Sequence, residues 1–215
     1  TDPRHLVGRT AWVTGSSRGL GRAVARALAS AGASVALHGT TPTSIQAFGE
    51  GRSLEAAAEE IARETGSRVL PFPGDLTDEA VVRRLASEIE RQLGPIDILV
   101  TCAGGDIGRR GVNAPLAGKP ESNDAVGISL EDLRVVLDRN LLSCVLCCQA
   151  VAPGMMQRRS GRIVTFGSIA GAFGHANSAI YSTAKAAVHE YTRCLAEQLR
   201  PYEVTVNSVA PGDIT

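Results

Sequence analysis

Apolar positions along the chain alternate between two periods. Short β-branched runs of about five residues are separated by longer Ala-rich stretches whose apolar residues recur at helical spacing. Thr10-Ala11-Trp12-Val13-Thr14 predicts a first strand. Leu20, Val24, Ala27, Leu28 and Ala31 then mark one face of a helix, with Gly32 as its stop. Ser34-Val35-Ala36-Leu37-His38 predicts the second strand, and residues 53–65 a helix stopped by Gly66. Arg68-Val69-Leu70-Pro71-Phe72 is a weaker third strand because it carries a proline. Thr77 reads as an N-cap, with Asp78 and Glu79 in the first turn of a helix ending near Leu93-Gly94.

The rhythm continues. Ile96-Asp97-Ile98-Leu99-Val100 predicts a fourth strand, and Ser129 with Asp132 forms a capping-box pattern that opens one long helix over 129–159. Arg162-Ile163-Val164-Thr165-Phe166 is a fifth strand, residues 178–200 another helix, and residues 203–208 a sixth strand. Strands alternating with helices imply parallel pairing and right-handed crossovers. Near-continuous apolar strands imply a sheet covered on both faces. The class is a doubly wound α/β fold of at least six strands, in a single domain over residues 1–215, with its ligand crevice at the carboxyl ends of the strands.

Residues 105–128 break the rhythm. They hold four glycines beyond Gly105, two prolines and little periodicity, and are expected to form a rim or lid over the crevice. An inert surface or contact insertion is the alternative.

Composition narrows the function. The chain has 215 residues, 44% apolar and 20% charged, with 22 basic against 22 acidic residues. This balance argues against disorder and against nucleic-acid binding. No run of about 18 apolar residues is apparent, so no membrane span is expected, and the first residues lack the plan of a signal peptide. Five cysteines, an odd number, argue against a disulfide framework and for a reducing, cytoplasmic setting. Cys144, Cys147 and Cys148 lie in an apolar helical run, where packing is expected rather than metal binding.

The candidate chemistry begins at Thr14-Gly15-Ser16-Ser17-Arg18-Gly19-Leu20-Gly21, between the first strand and its helix. Glycines there let the main chain approach a phosphate, and the helix N-terminus offers unpaired N–H groups to it. Further on, Tyr181-Ser182-Thr183-Ala184-Lys185 puts a phenol and an ammonium one turn apart on a single helix face. The ammonium is expected to favour the phenolate and pull the tyrosine pKa down. Ser168, just after the fifth strand, can hydrogen-bond a substrate oxygen.

With these motifs in this order, the chain resembles the classical short-chain dehydrogenase/reductase family along nearly its whole length. The similarity extends to 3-oxoacyl-carrier-protein reductases, through His38-Gly39-Thr40 and Asn207-Ser208-Val209-Ala210-Pro211-Gly212. The resemblance implies Tyr181 as general acid in ketone reduction, Lys185 as its activator and ribose ligand, Ser168 as carbonyl orienter and Asn140 as holder of a proton-relay water. It implies cofactor contacts from Gly15, Ser17, Gly19, Leu20 and Gly21, from Asp75 and Leu76, from Cys102, Ala103 and Gly104, and from Pro211 and Gly212. Cys102 replaces the family's usual asparagine.

The end of the second strand reads His38-Gly39-Thr40-Thr41, with no acid to bind a ribose 2′-hydroxyl. Thr40, Thr41 and Arg18 are therefore expected to receive a 2′-phosphate, which favours NADP(H) over NAD(H), with His38 as a further cofactor contact.

The expected activity is an NADP(H)-dependent carbonyl reductase acting on a small ketone, with a 3-oxoacyl thioester as one candidate. A dehydrogenase of a sugar, xenobiotic or other secondary alcohol is a second reading, and a non-catalytic dinucleotide sensor a third. The resemblance also implies a homo-oligomer, dimer or tetramer, built on the two long helices. A final helix, a last strand and a substrate-covering loop are expected to follow Pro211-Gly212, so the chain is expected to lack them.

Overall fold

The structure, a computed structural model, describes residues 4–212. Six strands, β1 (Thr10–Thr14), β2 (Ser34–Gly39), β3 (Val69–Pro73), β4 (Ile96–Thr101), β5 (Gly161–Phe166) and β6 (Val204–Val209), form one sheet in the order β3-β2-β1-β4-β5-β6. Every pairing is parallel. The order reverses between β1 and β4, and there a crevice opens at the strands' carboxyl ends. Pro71 sits in β3, an edge strand, where a missing N–H is tolerated.

Helices α1 (Gly19–Ser30), α2 (Leu54–Thr65), α3 (Glu79–Leu93), α4 (Leu130–Leu137), α5 (Ser143–Arg158) and α6 (Ala179–Leu199) cover the sheet. Two buried clusters result. One packs Ala25, Ala29, Leu54 and Ile61 of α1 and α2 against Val13, Val35 and Leu37. The other packs Leu85 and Ile89 of α3, Cys147, Cys148 and Met155 of α5, and Val188 and Leu195 of α6 against Trp12, Leu99 and Ile163. Cys144, Cys147 and Cys148 thus serve as small apolar core residues.

Local rules account for several boundaries. Ser53 Oγ accepts the Ala56 N–H at 3.1 Å to cap α2, and Gly66 closes that helix in the left-handed region. The cap of α3 is Asp78 rather than Thr77. Asp78 Oδ1 accepts from Ala80 and Val81, whereas the Thr77 hydroxyl donates to Asp75 Oδ1 at 2.8 Å.

The helix expected over 129–159 is not one regular helix. A π-helical turn at Asp138–Leu142 separates α4 from α5, and the Ser143 N–H reaches back five residues to the Asp138 carbonyl. Ser129 does cap α4, accepting the Asp132 N–H at 3.1 Å. The run Leu130–Arg158 is also more apolar than the sequence reading allowed. By length and composition it could cross a membrane, with an 18-residue window of mean hydropathy 1.5. Its cysteines, Val151 and Met155 are nonetheless packed inside the second core cluster.

Candidate active site

The crevice above the β1/β4 reversal has a volume of about 990 Å³. The turn from β1 into α1 forms its floor. Gly15 holds φ +61°, and a Cβ there would lie 2.7 Å from the Ala103 Cα. A Cβ at Gly21 would collide with the Gly15 carbonyl oxygen. The turn therefore closes only with glycine at both places.

Side chains lock the same turn from below. Ser16 Oγ donates to the Val13 carbonyl at 2.6 Å and accepts the His38 N–H at 2.8 Å. The Gly15 N–H donates to His38 Nδ1 at 3.0 Å, which leaves Nε2 to donate to the Gly74 carbonyl, also at 3.0 Å. Burial holds the His38 pKa down at about 4, so the ring stays neutral. His38, expected among the cofactor contacts, lines the crevice, but both its ring nitrogens serve the protein and the ring braces the glycine turn.

Ser17, Arg18, Gly19, Leu20, Thr40, Thr41, Asp75, Leu76, Cys102, Ala103 and Gly104 line the crevice with the two glycines and His38. Burial pushes the Cys102 thiol up to about 12, so it is not a nucleophile at neutral pH. Ala103 is held by its N–H donating to the Thr14 hydroxyl at 3.0 Å. Arg18 is half-buried, and Arg139, another crevice residue, faces it closely enough to lower its pKa further. From the 105–128 segment, Ile107, Arg110, Gly111, Val112 and Asn113 wall one side.

One feature had no sequence signal. The Glu50 carboxylate accepts the Gly19 N–H at 3.0 Å, and its charge bears on Arg18. The end of β2 carries no acid, whereas Glu50 reaches the first turn of α1 from a loop eleven positions beyond Gly39. The first turn of α1 thus already holds an anion, as the free N–H groups of a helix N-terminus favour. With the volume and the glycine floor, the site fits a nicotinamide dinucleotide.

Asn140, Ser168, Tyr181, Lys185, Pro211 and Gly212 do not line that main volume. They gather beside it, and Gly104 is the junction. A Cβ on Gly104 would lie 2.6 Å from Asn140 Oδ1 and 3.2 Å from Lys185 Nζ. The Asn140 side chain is engaged with protein: Oδ1 accepts the Gly105 N–H at 2.9 Å, and Nδ2 donates to the Gly105 and Val136 carbonyls, each at 2.8 Å. These three bonds fix the side chain, and its main chain lies in the π-helical turn.

Lys185 is buried and donates from Nζ to the Phe166 carbonyl at 2.8 Å; Nζ stands 5.7 Å from the centre of the Tyr181 ring. Burial lowers its pKa to about 8. Ser168 Oγ accepts the Ala170 N–H at 3.1 Å, and its hydroxyl acts on the Tyr181 phenol to favour the phenolate. The Tyr181 pKa moves opposite to expectation. Burial raises it, the Ser168 hydroxyl partly offsets this, and the carboxylate of Asp106 raises it again. The ammonium is turned toward Phe166, so burial decides, and Tyr181 is a protonated phenol at neutral pH.

Pro211 sits at the same sheet edge, its carbonyl accepting the Ile169 N–H at 3.1 Å, with Gly212 beside the Ile169 side chain. Asp106, which the sequence reading did not single out, is tied by Asn123 Nδ2 at 2.6 Å.

A sheet reversing at a glycine turn, with a phenol and an ammonium beside it, defines a dinucleotide-dependent oxidoreductase. Comparison with known proteins carries this to a family. Residues 9–215 match the short chain dehydrogenase profile. The chain is 41% identical to a cyclohexanol dehydrogenase of Rhodococcus sp. (strain TK6), an alignment covering all of this chain and 77% of that protein. It is 37% identical to the 3-oxoacyl-acyl-carrier-protein reductase FabG of Aquifex aeolicus (strain VF5), covering 97% of this chain and 75% of that one. A crystal structure of a short-chain type dehydrogenase/reductase from Mycobacterium marinum superposes with a TM-score of 0.81 at 31% identity, covering 98% of this chain and 77% of that one. The chain belongs to the short-chain dehydrogenase/reductase family.

Proposed function

We propose that the chain interconverts a ketone and a secondary alcohol, with NADP(H) as hydride carrier and Asn140, Ser168, Tyr181 and Lys185 as its working residues. The observation that carries the reading is the junction at Gly104, which joins the glycine-floored crevice to Lys185 and Asn140 within van der Waals reach. Gly15, Ser17, Gly19, Leu20 and Gly21 would hold the diphosphate, Asp75 and Leu76 the adenine end, and Cys102–Gly104 with Pro211 and Gly212 the nicotinamide end. The bound nicotinamide supplies or accepts hydride. Ser168 orients the substrate oxygen, and the protonated Tyr181 gives it a proton during reduction. Lys185 adds positive charge as that proton leaves.

Arg18 and Arg139 support NADP(H), since two guanidinium groups facing one crevice favour a 2′-phosphate. A second reading, NAD(H), rests on Glu50, whose carboxylate would bind a ribose hydroxyl and repel a phosphate. For substrate class, cyclohexanol and a 3-oxoacyl thioester are the two probes that the relatives point to. The exposed apolar Leu130 and Leu142 on the α4–α5 run suit assembly into a homo-oligomer, and the five free thiols suit a cytoplasmic setting.

The test is turnover of cyclohexanol, cyclohexanone and a 3-oxoacyl thioester with each dinucleotide, followed by nicotinamide absorbance. Tyr181→Phe is expected to lose roughly 10²–10⁴-fold in kcat while still binding dinucleotide. Wild-type turnover that survives in Tyr181→Phe, or binding without any turnover, overturns the reading. Tighter NADH than NADPH selects the second cofactor assignment.

A further inference from the structure

Four residues beyond Lys185, α6 presents His189 on the same face as Tyr181 and Lys185. Its half-buried imidazole lies beneath the turn that carries Ser168. Nε2 is 3.0 Å from the Ser168 carbonyl oxygen and 3.5 Å from the Ser168 main-chain nitrogen, and Nδ1 is 3.2 Å from Ser208 Oγ. With the proton on Nε2, the shorter of its two Ser168 contacts is a hydrogen bond donated to the Ser168 carbonyl, and Nδ1 accepts from the Ser208 hydroxyl. The ring thus ties β6 and α6 to the turn that carries Ser168, whose hydroxyl acts on the Tyr181 phenol.

The main chain around Ser168 is shaped to this ring. A Cβ at Gly167 would collide with the imidazole, and one at Gly171 would lie 2.9 Å from His189 Cδ2. Gly167 therefore lets the turn settle onto a flat, hydrogen-bonding side chain, and Gly171 lets it approach the α6 main chain at Lys185 and Ala186 beside the same ring. A larger or misplaced group at this position would lift the Ser168 hydroxyl away from Tyr181.

We propose that His189 is a positioning residue for Ser168: its imidazole fixes the height and orientation of the Ser168 turn against the Tyr181–Lys185 face of α6. The proposal rests on the reading of Ser168 as the group that orients the substrate oxygen.

The experiment is a double-mutant cycle in the full chain, measuring kcat and KM for cyclohexanone with saturating dinucleotide. Dinucleotide affinity by fluorescence titration serves as the check on folding. His189→Leu removes both hydrogen bonds at similar bulk and is expected to lower kcat about tenfold to a hundredfold with dinucleotide affinity unchanged. His189→Gln, whose amide can donate toward the Ser168 carbonyl, is expected to recover most of that loss. In a Ser168→Ala background, His189→Leu is expected to cost nothing further, because the residue acts through Ser168.

Wild-type kcat in His189→Leu overturns the proposal. So does a loss that is the same with and without Ser168, or one that Gln leaves unrelieved while dinucleotide still binds. Full activity of Ser168→Ala overturns the catalytic reading of Ser168, and the proposal with it. Non-additive loss together with rescue by Gln sustains both.

Discussion

The two halves of the crevice are built from different materials. On the β1–β3 side, the surface offered to a ligand is mostly main chain: the glycine turn and the N-terminus of α1, locked from below by Ser16 and His38. On the β4–β6 side it is side chain: the Tyr181 phenol, the Ser168 hydroxyl, which accepts the Ala170 N–H, and the Lys185 ammonium, held by the Phe166 carbonyl. A main-chain surface suits an invariant feature such as a phosphate and tolerates no added atom. A side-chain surface performs chemistry and is controlled by charge and burial. Changes in the first half should therefore appear in stability and dinucleotide affinity, and changes in the second in kcat.

The largest expected effect tests the side-chain half. Lys185→Met keeps the stem and removes the charge, and should lower kcat by about 10²-fold or more. Burial already disfavours the ammonium, holding its pKa at about 8, so chemical denaturation at pH 7 should show this variant no less stable than wild type. A large stability loss with kcat intact would break the comparison.

The next largest concerns His38. Its pKa is near 4 in the fold against 6.5 when unfolded, so the unfolded chain binds the proton more readily over that interval. Its contribution is fully present above pH 6.5 and is lost as pH falls toward 4, by roughly 3 kcal/mol in all. Urea melts across that range should show this slope, and His38→Gln should flatten it. An unchanged slope in the variant would remove the ring from the account of the glycine turn.

Gly21→Ala forces a methyl against the Gly15 carbonyl oxygen. It should cost about 1–3 kcal/mol of stability and weaken dinucleotide binding by about tenfold, while kcat at saturation stays near wild type. Calorimetry and titration separate the two readouts. The smallest effect is expected for Glu50→Gln, which frees the anion position on α1 of a competing charge. NADPH should bind a few-fold more tightly at low salt, with NADH little changed and the gain fading as salt rises. Weaker NADH binding in this variant would instead identify Glu50 as a ribose ligand.

How far the sequence could be read follows from the range of each interaction. The six strands were legible because each is a short apolar run between turn residues, and burial on both faces leaves such runs little ambiguity. The Tyr181–Lys185 pair was legible because helical periodicity places residues four apart on one face. The π-helical turn was not, since Asp138-Arg139-Asn140-Leu141-Leu142 continues the apolar spacing of its neighbours; only the hydrogen-bond offset at Ser143 reveals it. Gly74 as partner of the His38 ring, Gly105 as partner of Asn140 and Glu50 as partner of Gly19 were illegible for a shared reason. Each depends on where a distant loop returns to the crevice.

The sequence by itself determined the layered α/β architecture, the glycine turn at the head of α1 and the shared face of Tyr181 and Lys185. Local backbone sterics and periodic burial suffice for these. Tertiary structure alone decided which way the Lys185 ammonium points, that Tyr181 stays protonated, that His38 is a neutral brace and that an anion from residue 50 sits on α1. Charge states and non-local hydrogen bonds depend on how much water packing removes, and on which groups it leaves facing each other.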